Sequence, residues 1–169
     1  LSNLSKIIKI KKNYNFTNDK SFKSISSNSK LINNKTLFIC NRNKKTKIQY
    51  IKEAINNKTP AIITNKYLES ISIPQFIVGN INLETEILLK YIYSKLSYKN
   101  IAITGTNGKT SVVWYISMIL NSLNINNKTV GTLGFFKNGK KINDLNLTTP
   151  DYEELYKYGS VLNKKNNIY

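Results

Sequence analysis

The sequence predicts an α/β protein with mostly parallel sheets, in two units that meet near residue 80. Between residues 36 and 78, short apolar runs flank one helical pattern, an arrangement typical of parallel strands joined by a crossover helix. After residue 100, a β-branched run leads through a glycine-rich turn into a second helical pattern. With 169 residues, 40% of them hydrophobic, the chain is long enough for two small domains with buried cores.

The first unit, residues 1–80, is a small α/β domain by its pattern. A weakly periodic start predicts a short helix over residues 1–8, followed by loops and short strands up to residue 35. Length and residue type then predict strands at 36–40, 60–64 and 75–78, and a helix at about 47–57.

The second unit, residues 81–169, begins with an amphipathic helix predicted over 83–96. This helix leads into a buried strand at 101–104 and then a helix from Lys109, with apolar residues at Val112, Val113, Ile116, Ile119, Leu120 and Leu123. Residues 128–133 predict a further strand, Asn138-Gly139 predicts a hairpin turn, and Pro150 opens a helix that runs to about residue 162.

The strand, glycine turn and helix at residues 101–110 predict a phosphate-binding loop. Glycines permit the tight turn, and the free N–H groups at the start of the helix favour an anion. Lys109 would place its charge on the β- and γ-phosphates of ATP, and the Thr110 hydroxyl would bind Mg²⁺, so both are candidate catalytic residues. The candidate nucleotide-binding residues are Gly105, Thr106, Asn107, Gly108, Lys109, Thr110 and Ser111. The alternative is a plain turn with Lys109 in solvent.

Composition limits the remaining possibilities. No apolar run approaches the ~20 residues that span a bilayer, and the chain has one cysteine, Cys40, and no histidine. Any catalysis would therefore use lysine, carboxylates, hydroxyls and a bound metal ion. The net charge of +17 suits polyanionic ligands, but the lysines are spread along the chain, which disfavours a nucleic-acid interface.

Two motifs carry a family resemblance. Thr104 to Thr110, Thr-Gly-Thr-Asn-Gly-Lys-Thr, resembles the ATP-binding signature of the Mur ligases, whose loop lacks the outer glycine of the general P-loop; the corresponding residue here is Ile103. Gly131-Thr132-Leu133-Gly134, followed by Leu147-Thr148-Thr149-Pro150-Asp151, is similar to the family members that add the third amino acid to the UDP-muramoyl peptide of peptidoglycan. The resemblance implies a UDP-binding first domain and the start of the ATP-binding domain.

The resemblance also implies substrate-binding residues. Ser29, within Asn28-Ser29-Lys30, would lie near the uridine or its phosphates, and Thr148 and Thr149 would bind the muramoyl peptide. Residues 43–45 fall where the family's uracil or pyrophosphate loop lies, although the usual Asp-Gly is absent. Alternatively, residues 28–30 form a polar turn without a ligand, and a threonine of the 148–149 pair caps the following helix.

By this resemblance the expected activity is ATP-dependent amide-bond formation between UDP-N-acetylmuramoyl-dipeptide and an amino acid, with diaminopimelate favoured. A cytoplasmic monomer without a membrane partner is expected. The family's amino-acid-binding C-terminal domain has no counterpart here, so we do not expect these 169 residues alone to catalyse ligation. Three alternatives stay open: another ligase of the superfamily, such as MurF or folylpolyglutamate synthetase, a basic nucleic-acid-binding module, and a non-catalytic relic.

Overall fold

The computed structural model describes residues 1–17, 19–42, 48–93, 99–145 and 151–160. The chain divides into two compact units, Leu1–Ser94 and Lys95–Tyr169. The amphipathic helix that was expected to begin the second domain therefore lies in the first compact unit. A family domain boundary near residue 80 stays a prediction.

The first unit contains a five-stranded sheet, which confirms the predicted parallel arrangement. Its strands are β1 (Ile10–Tyr14), β2 (Ser24–Ser26), β3 (Thr36–Cys40), β4 (Ile62–Thr64) and β5 (Gln75–Val78), in the spatial order β1-β5-β4-β3-β2. The neighbours from β2 to β5 pair in parallel, and β1 pairs antiparallel with β5 at one edge.

Two α-helices belong to this unit, α1 (Ile48–Asn56) and α2 (Ile81–Ile92). All of β3 is buried, and Phe38 packs in one cluster with Ile51 and Ala54, which lie one turn apart on α1. The predicted helix at 1–8 is wrong in extent, since only a 3-10 turn at Leu4–Lys6 forms. So short a segment gains too few hydrogen bonds to offset the cost of helix nucleation.

The second unit contains α3 (Lys109–Ser122), three strands and α4 (Tyr152–Ser160). The strands β6 (Lys128–Gly131), β7 (Gly134–Lys137) and β8 (Lys140–Asn143) form an antiparallel sheet in chain order. Asn138 and Gly139 have φ angles of 49° and 75°, which makes the β7–β8 turn the type I′ hairpin that the Asn-Gly pair predicts.

The predicted strand at 101–104 is not observed: these residues have no regular secondary structure. A strand needs a ladder of backbone hydrogen bonds to a neighbour, and an apolar β-branched run supplies only the side chains. Consistent with this, the Ile101 side chain is 48% exposed. Val112 and Ile119 on α3, and Leu123 directly after it, are likewise exposed rather than buried as the helical pattern suggested.

Within the residues that the structure describes, no helix is both long enough and apolar enough to cross a membrane.

Candidate functional site

The glycine loop before α3 depends on two backbone conformations that favour glycine. Gly105 has a φ of 150° and Gly108 a φ of 76°, and Gly108 is the N-cap residue of α3. The first helical hydrogen bond runs from the Val112 N–H to the Gly108 carbonyl over 2.9 Å. The loop thus turns sharply into the helix at the position that the sequence predicted.

Lys109 folds back onto this loop. Its Nζ donates to the carbonyl oxygens of Gly105, at 2.5 Å, and Thr106, at 3.2 Å. Both contacts are exposed to solvent, so a ligand can reach the ammonium group without opening a core. The loop therefore holds a positive charge beside the first turn of α3.

The N-terminus of α3 also lacks a side-chain cap. In contrast, α2 begins with Asn80, whose Oδ1 accepts a hydrogen bond from the Leu83 N–H at 3.2 Å. Gly105 to Gly108, Thr110 and Ser111 are all exposed. An exposed, uncapped helix N-terminus with a lysine at its first position has the geometry and charge that bind a phosphate group.

The segment before the loop packs against α3 although it forms no strand. Ile101 and Ile103 border a cavity of about 40 Å³ together with residues of α3 and β6, among them Val113, Ile116 and Leu120. The segment before the glycine loop therefore lies beside α3 and β6.

A buried polar cluster fixes the other end of α3. Asn127 is 1% exposed; its Oδ1 accepts from the Ser117 hydroxyl at 2.7 Å, and its Nδ2 donates to Asn121 Oδ1 at 2.7 Å. Its backbone N–H donates to Asn138 Oδ1 at 2.9 Å, in the β7–β8 turn. The helix that presents the glycine loop is therefore bonded to the sheet beside it.

Ser29 lies in the first unit, in a 3-10 turn at Ser29–Leu31, and is 4% exposed. Its hydroxyl donates to Glu53 Oε2 at 2.6 Å, and its carbonyl accepts from Asn57 Nδ2 at 3.0 Å. Asn28 caps the turn by accepting from the Lys30 N–H at 3.1 Å. Ser29 and the glycine loop belong to different units, and the binding role of Ser29 stays a prediction.

Other predicted binding residues lie outside the described residues, namely Thr148, Thr149 and residues 43–45. The helix that Pro150 was expected to open is observed as α4, with Glu153 and Glu154 in its first turn. Asp151 precedes this helix and accepts the Leu155 N–H at 3.0 Å.

Two basic residues that were not among the predicted site residues, Arg42 and Lys128, make specific contacts. Arg42, the single arginine of the chain, follows β3, and its backbone N–H donates to Asn65 Oδ1 at 2.8 Å, just after β4. Lys128 is 5% exposed; its Nζ lies 5.1 Å from the Phe135 ring centre and donates to the Tyr158 carbonyl. Burial, with Lys137 nearby, lowers the pKa of Lys128 to about 8. In the sequence, Arg42 stands out only because it is the single arginine, and no local pattern indicates that Lys128 is buried.

The described residues hold no cluster of three or more cysteine or acidic side chains that could bind a metal by themselves. Mg²⁺ beside a nucleotide usually takes only one or two protein ligands. The Thr110 hydroxyl, predicted as such a ligand, is exposed in the first turn of α3, and its metal-binding role stays a prediction.

Comparison with known proteins gives a consistent result. The family described as the Mur ligase middle domain matches residues 103–168. The UDP-N-acetylmuramoyl-L-alanyl-D-glutamate–2,6-diaminopimelate ligase of Alkaliphilus oremlandii is 32% identical over 149 residues, which cover 82% of this chain and 29% of the relative. The ligase of the same name from Helicobacter hepaticus is 31% identical over 150 residues, 87% of this chain and 31% of the relative.

Solved structures agree on the fold. A structure of UDP-N-acetylmuramoyl-L-alanyl-D-glutamate–2,6-diaminopimelate ligase superposes with a TM-score of 0.61 at 21% identity, covering 82% of this chain and 29% of that one. A UDP-N-acetylmuramoylalanyl-D-glutamyl-2,6-diaminopimelate–D-alanyl-D-alanyl ligase from Acinetobacter baumannii superposes with a TM-score of 0.52 at 19% identity. This superposition covers 72% of this chain and 28% of that one. The chain thus spans less than a third of the length of these relatives.

Proposed function

The chain belongs to the Mur ligase family, and from this premise we propose that it forms the uridine-binding and ATP-loop part of a diaminopimelate-adding ligase. The proposed reaction joins diaminopimelate to UDP-N-acetylmuramoyl-L-alanyl-D-glutamate at the expense of ATP, in the cytoplasm and within peptidoglycan synthesis. The names of the relatives support this choice of substrates. The pairing of Gly131–Gly134 with residues 147–151 favours it over the superfamily's folate ligases.

The observation that carries the proposal is the position of Lys109 at the exposed, uncapped start of α3. Its ammonium group is held by two carbonyl oxygens of the glycine loop, where it can exchange them for phosphate oxygens. A compact lysine charge next to helix N–H groups neutralises the charge that builds up as a γ-phosphoryl group is transferred.

Magnesium would be held by Thr110 Oγ together with phosphate oxygens, and when bound it supplies further neutralisation of the phosphate charge. The residues of this chain then have separate tasks. The α3 N–H groups would orient a phosphate, Lys109 would bind the β- and γ-phosphates, and Gly105 and Gly108 would let the backbone approach them closely. In the complete reaction, the substrate carboxylate would attack the γ-phosphate, forming an acyl phosphate and releasing ADP. The amine would then attack the acyl carbon, forming the amide bond and releasing inorganic phosphate and a proton.

Calorimetric titration with Mg·ATP tests the proposal. We expect the wild-type chain to bind ATP and Lys109→Ala to bind at least about tenfold more weakly, because a charge-assisted phosphate contact is lost. Lys99→Ala is the matched control, because it removes an equal, exposed charge before the loop. Equal ATP binding by the two variants would contradict the proposal.

A parallel titration with duplex DNA at several salt concentrations tests the nucleic-acid alternative. Tight, steeply salt-dependent DNA binding that is insensitive to Lys109, without ATP binding, would favour the basic module instead. A third titration with UDP-N-acetylmuramoyl-L-alanyl-D-glutamate, with a folate as competitor, distinguishes the diaminopimelate-adding ligases from the folate ligases.

A further inference from the structure

We propose that Asn107, in the glycine loop before α3, is a site of spontaneous deamidation, which gives the loop an added negative charge. The reaction consumes water and needs no enzyme. Its effect on ATP binding rests on the proposed function, because it assumes that the loop holds phosphate. The modification itself does not depend on that function.

Two segments of the chain carry the same reactive tripeptide. Asn-Gly-Lys occurs at residues 107–109, in the glycine loop, and at residues 138–140, which include the β7–β8 turn. Glycine after asparagine favours deamidation, because a residue without a Cβ does not hinder the approach of the asparagine side chain to the next peptide nitrogen. Since the tripeptides are identical, a large difference in rate between the two sites would come mainly from the fold.

The reaction closes and then opens a ring. The Gly108 peptide nitrogen gives its proton to a solvent base and attacks the side-chain carbon Cγ of Asn107, which forms a cyclic imide. The side-chain nitrogen takes up a proton and leaves as ammonia. Water then opens the ring at either carbonyl carbon, giving aspartate or isoaspartate. Either product carries one new carboxylate, and no oxidant or reductant takes part.

The folded chain leaves the Asn107 amide able to react. Asn107 is exposed, and its side-chain oxygen and nitrogen form no hydrogen bond to any residue that the structure describes. Helix α3 begins at Lys109, so the peptide that joins Asn107 to Gly108 lies before the first helical residue. Gly108 is exposed as well, so water and a solvent base reach both reacting groups.

The Asn138 amide is also exposed, but both of its polar atoms are bonded. Its Oδ1 accepts from the Asn127 N–H at 2.9 Å, and its Nδ2 donates to Asn126 Oδ1 at 2.9 Å. These bonds hold the side-chain carbon that would have to move onto the Gly139 nitrogen. We therefore expect deamidation in the folded chain to be about tenfold or more faster at Asn107 than at Asn138.

The product changes the charge of the glycine loop. The new carboxylate lies two residues before Lys109, whose ammonium group is held by the loop, and next to the N-terminus of α3. It would compete with phosphate for the lysine and for the helix N–H groups, and it would repel the phosphate charge. Isoaspartate also adds a main-chain carbon to the turn. We expect the deamidated chain to bind ATP about tenfold or more weakly.

The first test follows both sites in the same sample. The chain is kept at pH 8 for several days, either folded or unfolded in guanidinium chloride, and fragmentation mass spectrometry measures the modified fraction at Asn107 and Asn138. We expect the preference for Asn107 in the folded chain and nearly equal rates in the unfolded chain. Equal rates in the folded chain, or a preference that persists unchanged after unfolding, would overturn the proposal.

The second test is calorimetric titration with Mg·ATP. Asn107→Asp supplies the aspartate product uniformly, and it should bind ATP about tenfold more weakly than a fresh wild-type chain. Asn138→Asp is the matched control, because it adds the same charge at the other tripeptide and still accepts the Asn127 N–H. It should bind ATP as the wild type does, and circular dichroism verifies that both variants are folded.

The two tests separate the possible failures. Equal ATP affinity in Asn107→Asp and the wild type would overturn the effect of the new charge. A fresh wild-type chain that binds no ATP, although Asn107 deamidates as expected, would contradict the proposed function and confirm the modification. A chain that binds ATP but in which Asn107 does not react before Asn138 would contradict this inference and leave the proposed function standing.

Discussion

The ammonium nitrogen of Lys109 lies 2.5 Å from the carbonyl oxygen of Gly105, four residues earlier in the chain. A second hydrogen bond joins the same nitrogen to the Thr106 carbonyl oxygen at 3.2 Å. These carbonyls give Lys109 partners in the absence of a phosphate, so the ammonium group stays near the start of α3. If the loop binds ATP as proposed, these carbonyl contacts would be exchanged for phosphate contacts.

Replacing Lys109 with arginine should therefore weaken ATP binding by about tenfold although the charge is kept. The guanidinium group of arginine is planar and donates hydrogen bonds in a fixed geometry. The Lys109 ammonium group is compact and donates to two carbonyl oxygens of the loop. Calorimetric titration with Mg·ATP gives the ratio. Lys99→Arg, outside the loop, serves as control, and full ATP affinity in Lys109→Arg would show that only charge matters.

Gly108→Ala should lower both the stability of the second unit and its ATP affinity. Gly108 has a φ of 76°, which costs an alanine about 1–2 kcal/mol, although no atom lies within 4 Å of the added Cβ. Gly108→Asn separates the two effects, because asparagine tolerates this backbone conformation better but still places a side chain beside the phosphates. We expect stability, measured in urea, to recover in Gly108→Asn while ATP affinity stays low.

The glycine loop could be predicted from the sequence because its requirements are local. Two glycines at set positions, a lysine and a following helical pattern suffice, and the structure has Gly108 at positive φ as the N-cap of α3. The Asn138-Gly139 hairpin was predictable for the same reason, since type I′ turns favour this pair.

Features that depend on distant partners could not be predicted. The run at 101–104 has strand-forming side chains, but whether it forms a strand depends on a neighbouring ladder that its own residues do not encode. Likewise, Ser29 and Glu53 are 24 residues apart, and no periodicity in either segment indicates that their side chains form a hydrogen bond.

Gly134→Ala should destabilise the second unit by about 2–4 kcal/mol. The added Cβ would lie 2.5 Å from the Asn143 carbonyl oxygen, and the φ of 116° disfavours any side chain. Gly131, its cross-strand partner in the β6–β7 hairpin, has no atom within 4 Å of a Cβ, so Gly131→Ala is the matched control. Urea unfolding followed by the fluorescence of Trp114, the single tryptophan, reports on this unit because its ring packs 5.1 Å from Phe136. Equal midpoints for the two variants would contradict the predicted clash.

Ser117→Ala should cost about 1–3 kcal/mol, because it leaves the buried Asn127 Oδ1 without its 2.7 Å hydrogen bond. Ser122→Ala, on the exposed side of the same helix, removes a hydroxyl bonded to the Ile119 carbonyl and should cost less than about 0.5 kcal/mol. Trp114 fluorescence in urea measures both changes. A loss of equal size in the two variants would mean that the Asn127 cluster does not hold α3.

Lys128→Met tests whether a buried charge opposes folding of the second unit. Burial lowers the pKa of Lys128 from 10.5 to about 8, so between these pH values the unfolded chain binds more protons than the folded one. The free energy of unfolding should therefore rise with pH across this window, by at most about 1.4 kcal/mol per pH unit, from the contribution of Lys128. Methionine fills similar space without a charge, so the variant lacks this rise.

Other groups titrate in the same window, among them Tyr158, whose pKa burial raises, so the informative quantity is the difference between Lys128→Met and wild type. We expect this difference, measured by Trp114 fluorescence in urea at pH 7, 8, 9 and 10, to shift in favour of the wild type as the pH rises above about 8. A difference that stays constant would show that Lys128 titrates alike in the folded and unfolded chains. In that case the bond to the Tyr158 carbonyl and the contact with Phe135 fully compensate for burying the ammonium group.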